Sequence, residues 1–102
     1  MGLLECASSA SVWRGYDYYN EKKVKNITET EEDVFTAEVI GTANEPYVVK
    51  IYIAHPRKST CNCLHADGKR IVCKHMVATY FTAYPKEAVR FYREYLKAQE
   101  EA

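Results

Sequence analysis

The chain has 102 residues, a formal net charge of zero, 47% hydrophobic and 27% charged residues, which predicts one small globular domain spanning residues 1–102. No apolar run approaches the ~20 residues needed to cross a bilayer, and the first residues lack the regions of a secretory signal. We therefore expect no membrane partner, a cytoplasmic location and reduced thiols.

The first segment with a helical pattern follows a serine-rich start. Candidate N-cap residues lie at Ser8, Ser9 and Ser11. Apolar residues then recur at helical spacing at Val12, Trp13, Tyr16 and Tyr19. Gly15 weakens this pattern because glycine inside a helix costs ~1 kcal/mol relative to alanine. The pattern predicts a short amphipathic N-terminal helix.

The next three segments predict strands. Residues 24–28 read as a short strand, and the acidic run at 29–33 reads as a turn. Residues 34–41 and 47–54 then alternate between apolar and polar side chains, with a short connection between them. We expect a three-stranded antiparallel sheet.

The C-terminal part of the chain has a helical period. Residues 75–84 carry an apolar stripe, and residues 86–100 continue as a C-terminal helix after Pro85, which breaks one helix or starts the next. The inward residues expected on the last helix are Ala88, Tyr92 and Tyr95. Together these elements predict an α+β fold, with a cysteine-rich segment between the sheet and the helices.

That segment, CNCLHADGKRIVCKH at residues 61–75, holds three of the four cysteines and two of the three histidines. The ligands that we choose are Cys61, Cys63, Cys73 and His75, a C-x-C pair and a C-x-H pair. Four thiolate or imidazole ligands with no open position form the usual structural zinc site. The sequence therefore predicts one bound Zn²⁺.

The spacing within this segment can be tested against strand geometry. A three-residue loop from Ala66 to Gly68, with Gly68 in the left-handed conformation, would form a hairpin with Cys61 opposite Cys73. All four ligands would then lie on one side. His75 would lie in the first turn of the following helix, where the positive end of the helix dipole favours thiolates.

Other interpretations of these residues compete with zinc. His65 could replace His75 as the fourth ligand, although it lies on the same arm as Cys61 and Cys63. The cysteines could instead be small buried residues, disulfide partners or a catalytic thiol with a histidine base. Charged neighbours argue against buried apolar cysteines, and the missing secretory signal argues against disulfides. The absence of one distinctive cysteine argues against a catalytic thiol. Cys6 reads as a lone thiol.

The motif resembles the SWIM zinc finger, in which C-x-C, a spacer and C-x-H precede an apolar helix, here MVATYF. The CKH tripeptide is similar to that of bacterial members of the family. The resemblance extends over residues 11–84, with the finger itself at 57–84. It implies a zinc-bound hairpin and helix (ββα). It also implies binding of DNA or proteins rather than catalysis.

The distribution of charge leaves two functions open. Residues 1–54 hold five basic and nine acidic side chains (net −4), whereas residues 55–102 hold nine basic and five acidic (net +4). Five cations flank the cysteines: Arg57, Lys58, Lys69, Arg70 and Lys74. The first hypothesis is a non-enzymatic zinc module that binds nucleic acid weakly through them. The alternative is a protein-interaction adaptor that uses the finger and the tyrosine-rich C-terminal helix. Neither predicts a small-molecule substrate.

Overall fold

The computed structural model describes residues 2–66, 68–69 and 71–101, with Glu101 described by its backbone alone. The helices are α1 (Ser9–Asn20), α2 (Lys74–Ala83) and α3 (Pro85–Glu101). The strands are β1 (Val24–Glu31), β2 (Val34–Val39), β3 (Tyr47–Tyr52) and β4 (Thr60–Cys61). Short 3₁₀ turns lie at Leu4–Cys6 and Pro56–Lys58. The expected α+β class is confirmed.

The sheet is antiparallel, in the order β1-β2-β3-β4. It has one strand more than expected, because Thr60–Cys61 joins its edge beside β3. The acidic run also differs from the prediction: β1 continues through it to Glu31, which pairs with Val34, so the turn is only residues 32–33. Asp33 takes a positive φ of 59° in that turn, a conformation that aspartate tolerates better than most residues.

The cysteine-rich segment departs from the predicted hairpin. Cys61 pairs with Val49 of β3, not with Cys73, and Val72 forms an isolated parallel bridge with Ala7. The predicted register assumed that the two arms had only each other as partners, whereas β3 offers a free edge. Gly68 does have the expected left-handed backbone, with φ of 71°. Asp67, within the predicted loop, lies outside the described residues.

The helices α1 and α2 pack closely at a glycine. Ser8 caps α1, since its side chain accepts a hydrogen bond from the Ser11 backbone N–H, as one of the three candidates predicted. A Cβ at Gly15 would lie 2.5 Å from the Cβ of Val77 and 2.9 Å from the Lys74 carbonyl oxygen. Gly15 is therefore unfavourable for the helix alone but necessary for this helix–helix contact.

Aromatic side chains fill the space between α1, α2 and α3. We call this set the aromatic layer: Trp13, Tyr16, Phe81, Phe91, Tyr92 and Tyr95. The Trp13 ring lies 4.7 Å from the rings of Phe91 and Tyr95, and Phe81 is fully buried. Pro85 begins α3 one residue after α2 ends, with Tyr84 between the two helices. No helix in the described part of the chain is long and apolar enough to span a membrane.

Candidate metal centre

The four residues that the sequence singled out converge in the structure. Cys61 ends β4, Cys63 lies in the turn after it, Cys73 is the N-cap residue of α2, and His75 lies in the first turn of that helix. One donor atom from each lies within 4.8 Å of all the others. All four side chains are buried, with 1–4% of their surface exposed. The residues thus form a compact, closed donor set.

The donor separations fit a tetrahedral ion. The Nδ1 atom of His75 lies 3.6 Å from the Cys61 Sγ atom and 3.8 Å from the Cys73 Sγ atom. A tetrahedral zinc with its usual bond lengths separates a nitrogen and a sulfur ligand by about 3.6 Å. Three soft sulfur donors and one imidazole also match the ligand types of structural zinc. By geometry and by chemistry, the residues present fit a zinc ion.

Neighbouring residues fix the orientation of the His75 ring. Its Nδ1 atom faces the cysteines, and its Nε2 atom is buried without a hydrogen-bond partner among the described residues. The Tyr47 ring stacks on the imidazole with centroids 4.4 Å apart, and the Tyr18 ring meets it edge-on at 5.5 Å. A Cβ at Gly41 would lie 2.5 Å from the Tyr47 ring, so only glycine leaves room for this stack.

Sequence reasoning missed Gly41 and Tyr47 as parts of the site. Tyr47 carries one detectable signal, since it falls on the inward face of the alternating strand pattern at residues 47–54. Gly41 carries none, because a glycine after a strand reads as the start of a turn. Both residues help to fix the position of the His75 imidazole ring. A supporting residue of this kind controls how well a metal ligand is positioned.

The pKa values of Cys61 and Cys73 are shifted in opposite directions. The pKa of the Cys73 thiol is lowered to about 4, first because Cys61 hydrogen-bonds to its sulfur and also because His75 lies beside it. The same hydrogen bond and burial raise the pKa of the Cys61 thiol. A thiolate is therefore favoured at Cys73, at the start of α2, where the sequence predicted that the helix dipole would stabilise negative charge.

The predicted basic residues do not form one continuous surface. Arg57, Lys58 and Lys69 line a groove of about 560 Å³, which we call the basic groove; its walls also include Tyr52 and Cys61. Lys74 lies elsewhere, in a cavity of about 360 Å³ that Arg14, His65 and three of the four donor residues also line. Arg70 lies outside the described residues.

The alternative metal ligand and the remaining cysteine lie outside the donor set. His65 is exposed and is not among the four clustered side chains. Cys6 is half-buried on the N-terminal 3₁₀ turn. The arrangement therefore favours His75 over His65 as the fourth ligand.

Comparison with protein families gives one match. Residues 47–84 match the model of the SWIM zinc finger. The resemblance found in the sequence is thereby confirmed over this segment, and the family and the clustered donors both indicate a metal-binding module. The match begins at Tyr47 and so includes β3, which the expected range 57–84 leaves out. Searches among curated proteins and solved structures found no match.

Proposed function

We propose that this chain, with a SWIM zinc finger at residues 47–84, is a non-enzymatic zinc-binding module that binds nucleic acid through the basic groove. Cys61, Cys63, Cys73 and His75 hold the zinc ion. The observation that carries the proposal is the position of three cations, none paired with a described carboxylate, in a groove whose wall includes Cys61 itself. The metal then shapes the binding surface without taking part in a reaction.

A structural role for the metal follows from the closed donor set. Catalytic zinc sites keep one position open for water or substrate, whereas four buried protein donors saturate a tetrahedral ion. Three thiolates and Zn²⁺ together carry a charge of −1, so the site itself does not attract phosphate. Attraction must come from the surrounding side chains.

The basic groove provides that attraction. Arg57, Lys58 and Lys69 are exposed, and no carboxylate lies within ion-pair distance of them among the described residues. The Tyr52 ring at the groove wall adds an aromatic surface beside the cations. Cations next to an aromatic ring are the usual elements of a surface that follows a nucleic-acid backbone.

The magnitude of binding should be modest. Three groove cations imply about three phosphate contacts and a salt slope of about −3 on duplex DNA. Binding of this kind does not depend on sequence, and we expect a Kd of ~10 μM or weaker at physiological salt. Among the described residues, none of the three groove cations has an ion pair that would hold it in place to read a base edge.

A salt-dependent titration tests the proposal. Labelled duplex and single-stranded DNA are titrated with the zinc-loaded wild type and with Arg57→Glu/Lys58→Glu. The matched control is Arg93→Glu/Lys97→Glu, which reverses the same number of charges on α3. We expect ~10-fold or greater weakening in the groove variant and a smaller loss in the control. Equal losses in both variants, or no binding at low salt, would contradict nucleic-acid binding through the groove.

A further inference from the structure

We propose that the outward face of α3 is a docking surface for an amphipathic helix of a partner protein whose apolar face has an acidic edge. The surface lies outside the matched residues 47–84 and requires neither zinc nor nucleic acid. It is defined by an apolar stripe and by a row of cations along one side of that stripe.

The apolar stripe consists of Val89, Tyr92 and Leu96. Their exposed fractions are 48%, 40% and 44%. Their spacing of three and four residues places them along one side of the helix. α3 packs on the rest of the protein through the buried Ala88, through the half-buried Phe91 against Trp13, and through Tyr92, whose ring also stacks on Tyr16. The more exposed stripe residues, Val89 and Leu96, take no part in these contacts, although an apolar stripe is the kind of surface that helices bury.

The basic edge consists of Lys86, Arg93 and Lys97. A helix turns by about 100° per residue, which places these three cations beside Val89 and Leu96, on the side of the stripe away from Tyr92. None of the three has a carboxylate within ion-pair distance among the described residues. A groove of about 400 Å³ lies between the edge and the stripe, and its lining also includes the paired residues Arg90 and Glu94 (Lys86, Val89, Arg90, Arg93, Glu94).

The remaining charges of α3 are arranged differently. Arg90 is paired with both Glu87 and Glu94, at 3.6 Å and 3.2 Å, on the far side of the basic edge. The helix therefore neutralises one cation internally, and among the side chains that the structure describes it leaves three cations without an ion-pair partner next to its exposed apolar residues. A partner helix that placed carboxylates along this edge would pair with all three while its apolar face covered the stripe.

Two other occupants fit the surface less well. In an antiparallel pair of identical helices the same edges face each other, so a second copy would bring the basic edge against itself. An anionic bilayer attracts helices with an excess of cations. α3 instead has four cations and four carboxylates, and therefore no net charge (Lys86, Arg90, Arg93, Lys97; Glu87, Glu94, Glu100, Glu101).

A pair of designed peptides tests the proposal on the zinc-loaded protein. Both are labelled 20-residue helices with leucine at positions i, i+3 and i+7. One has glutamate along the edge of its apolar face and the other has lysine there. We expect the wild type to bind the glutamate peptide at least ~10-fold more tightly than the lysine peptide. Arg93→Glu/Lys97→Glu should reverse this preference, because rim charges then repel rather than pair.

Two further variants separate the surface from the rest of the protein. Val89→Ser/Leu96→Ser should weaken binding of the glutamate peptide ~10-fold or more, and circular dichroism and zinc content check that the fold is retained. Arg57→Glu/Lys58→Glu should bind the peptide like the wild type, which separates this site from the basic groove. Absence of binding at millimolar peptide, or equal binding of both peptides, would overturn the proposal. So would a dimer that Leu96→Ser dissociates, or binding to phosphatidylserine vesicles that Leu96→Ser abolishes.

Discussion

The metal centre and the aromatic layer are held together by different means. Around the metal centre, the buried side chains are three cysteines, one histidine and small apolar residues such as Ala66 and Val72. Between the helices, six aromatic rings pack edge-to-face or stacked, including Tyr16 on Tyr92 at an interplanar angle of 2°. With zinc bound as proposed, the first region would depend on the ion for its cohesion, whereas the second depends on apolar area and ring contacts.

Helix α2 belongs to both regions. Its first turn contains His75, and its last turns contain Phe81, which is fully buried in the aromatic layer. Gly15 brings α1 against the middle of the same helix at Val77. A change at the metal centre can therefore loosen one end of α2 while the other end stays anchored. The contrast between the two regions can be tested at each end.

Removal of the metal should have the largest effect. Structural zinc in small domains is worth ~10–16 kcal/mol of apparent binding free energy, which is comparable to the whole stability of a domain. We expect a chelator to abolish amide protection over residues 57–77, measured by hydrogen exchange. The single tryptophan, Trp13, lies in the aromatic layer, so its fluorescence should retain more of the folded signal. Full protection after complete chelation would disprove a metal-dependent finger.

Substitution of single donors should weaken metal retention strongly. Cys61→Ser, Cys63→Ser, Cys73→Ser and His75→Ala are the variants. Each should lower zinc affinity by more than ~100-fold, because removing even a residue that only positions a ligand costs ~10–100-fold in metal affinity. Competition with a colorimetric chelator measures the affinity, with Cys6→Ser and His65→Ala as controls that keep the metal. Loss of zinc in His65→Ala, with retention in His75→Ala, would show that His65 rather than His75 is the fourth ligand.

Two glycine substitutions should have smaller effects, one in each region. At Gly15 an added methyl group would strike the Cβ of the buried Val77 and the backbone carbonyl of Lys74, neither of which is the end of a flexible side chain. Gly15→Ala should therefore cost about 1–3 kcal/mol in spite of its better helix propensity. At Gly41 the added methyl group would strike the Tyr47 ring, which can swing away. Gly41→Ala should therefore cost less stability but lower zinc affinity, as measured by denaturation and chelator competition. A zinc defect in Gly15→Ala alone would reverse this assignment.

The sequence predicted the donors better than it predicted their surroundings. Cys61, Cys63, Cys73 and His75 stand out because deprotonatable side chains at short spacing have few other uses. The pairing of Cys61 was wrong because strand pairing is a choice between competing edges, and nothing in residues 61–75 reveals that β3 is free. Likewise, Gly15 appeared as a defect of α1, because its use depends on Val77, far away along the chain.

The His75 ring has one consequence for proton exchange. The Nδ1 atom of His75 faces the sulfurs, so a metal bound there would leave the ring proton on Nε2, which is buried beside Tyr47 and Gly41. Water reaches that proton only when the site opens. The rate at which this proton exchanges with water, measured by nuclear magnetic resonance, therefore reports how often the finger opens. A single resolved imidazole N–H signal would be enough for the measurement.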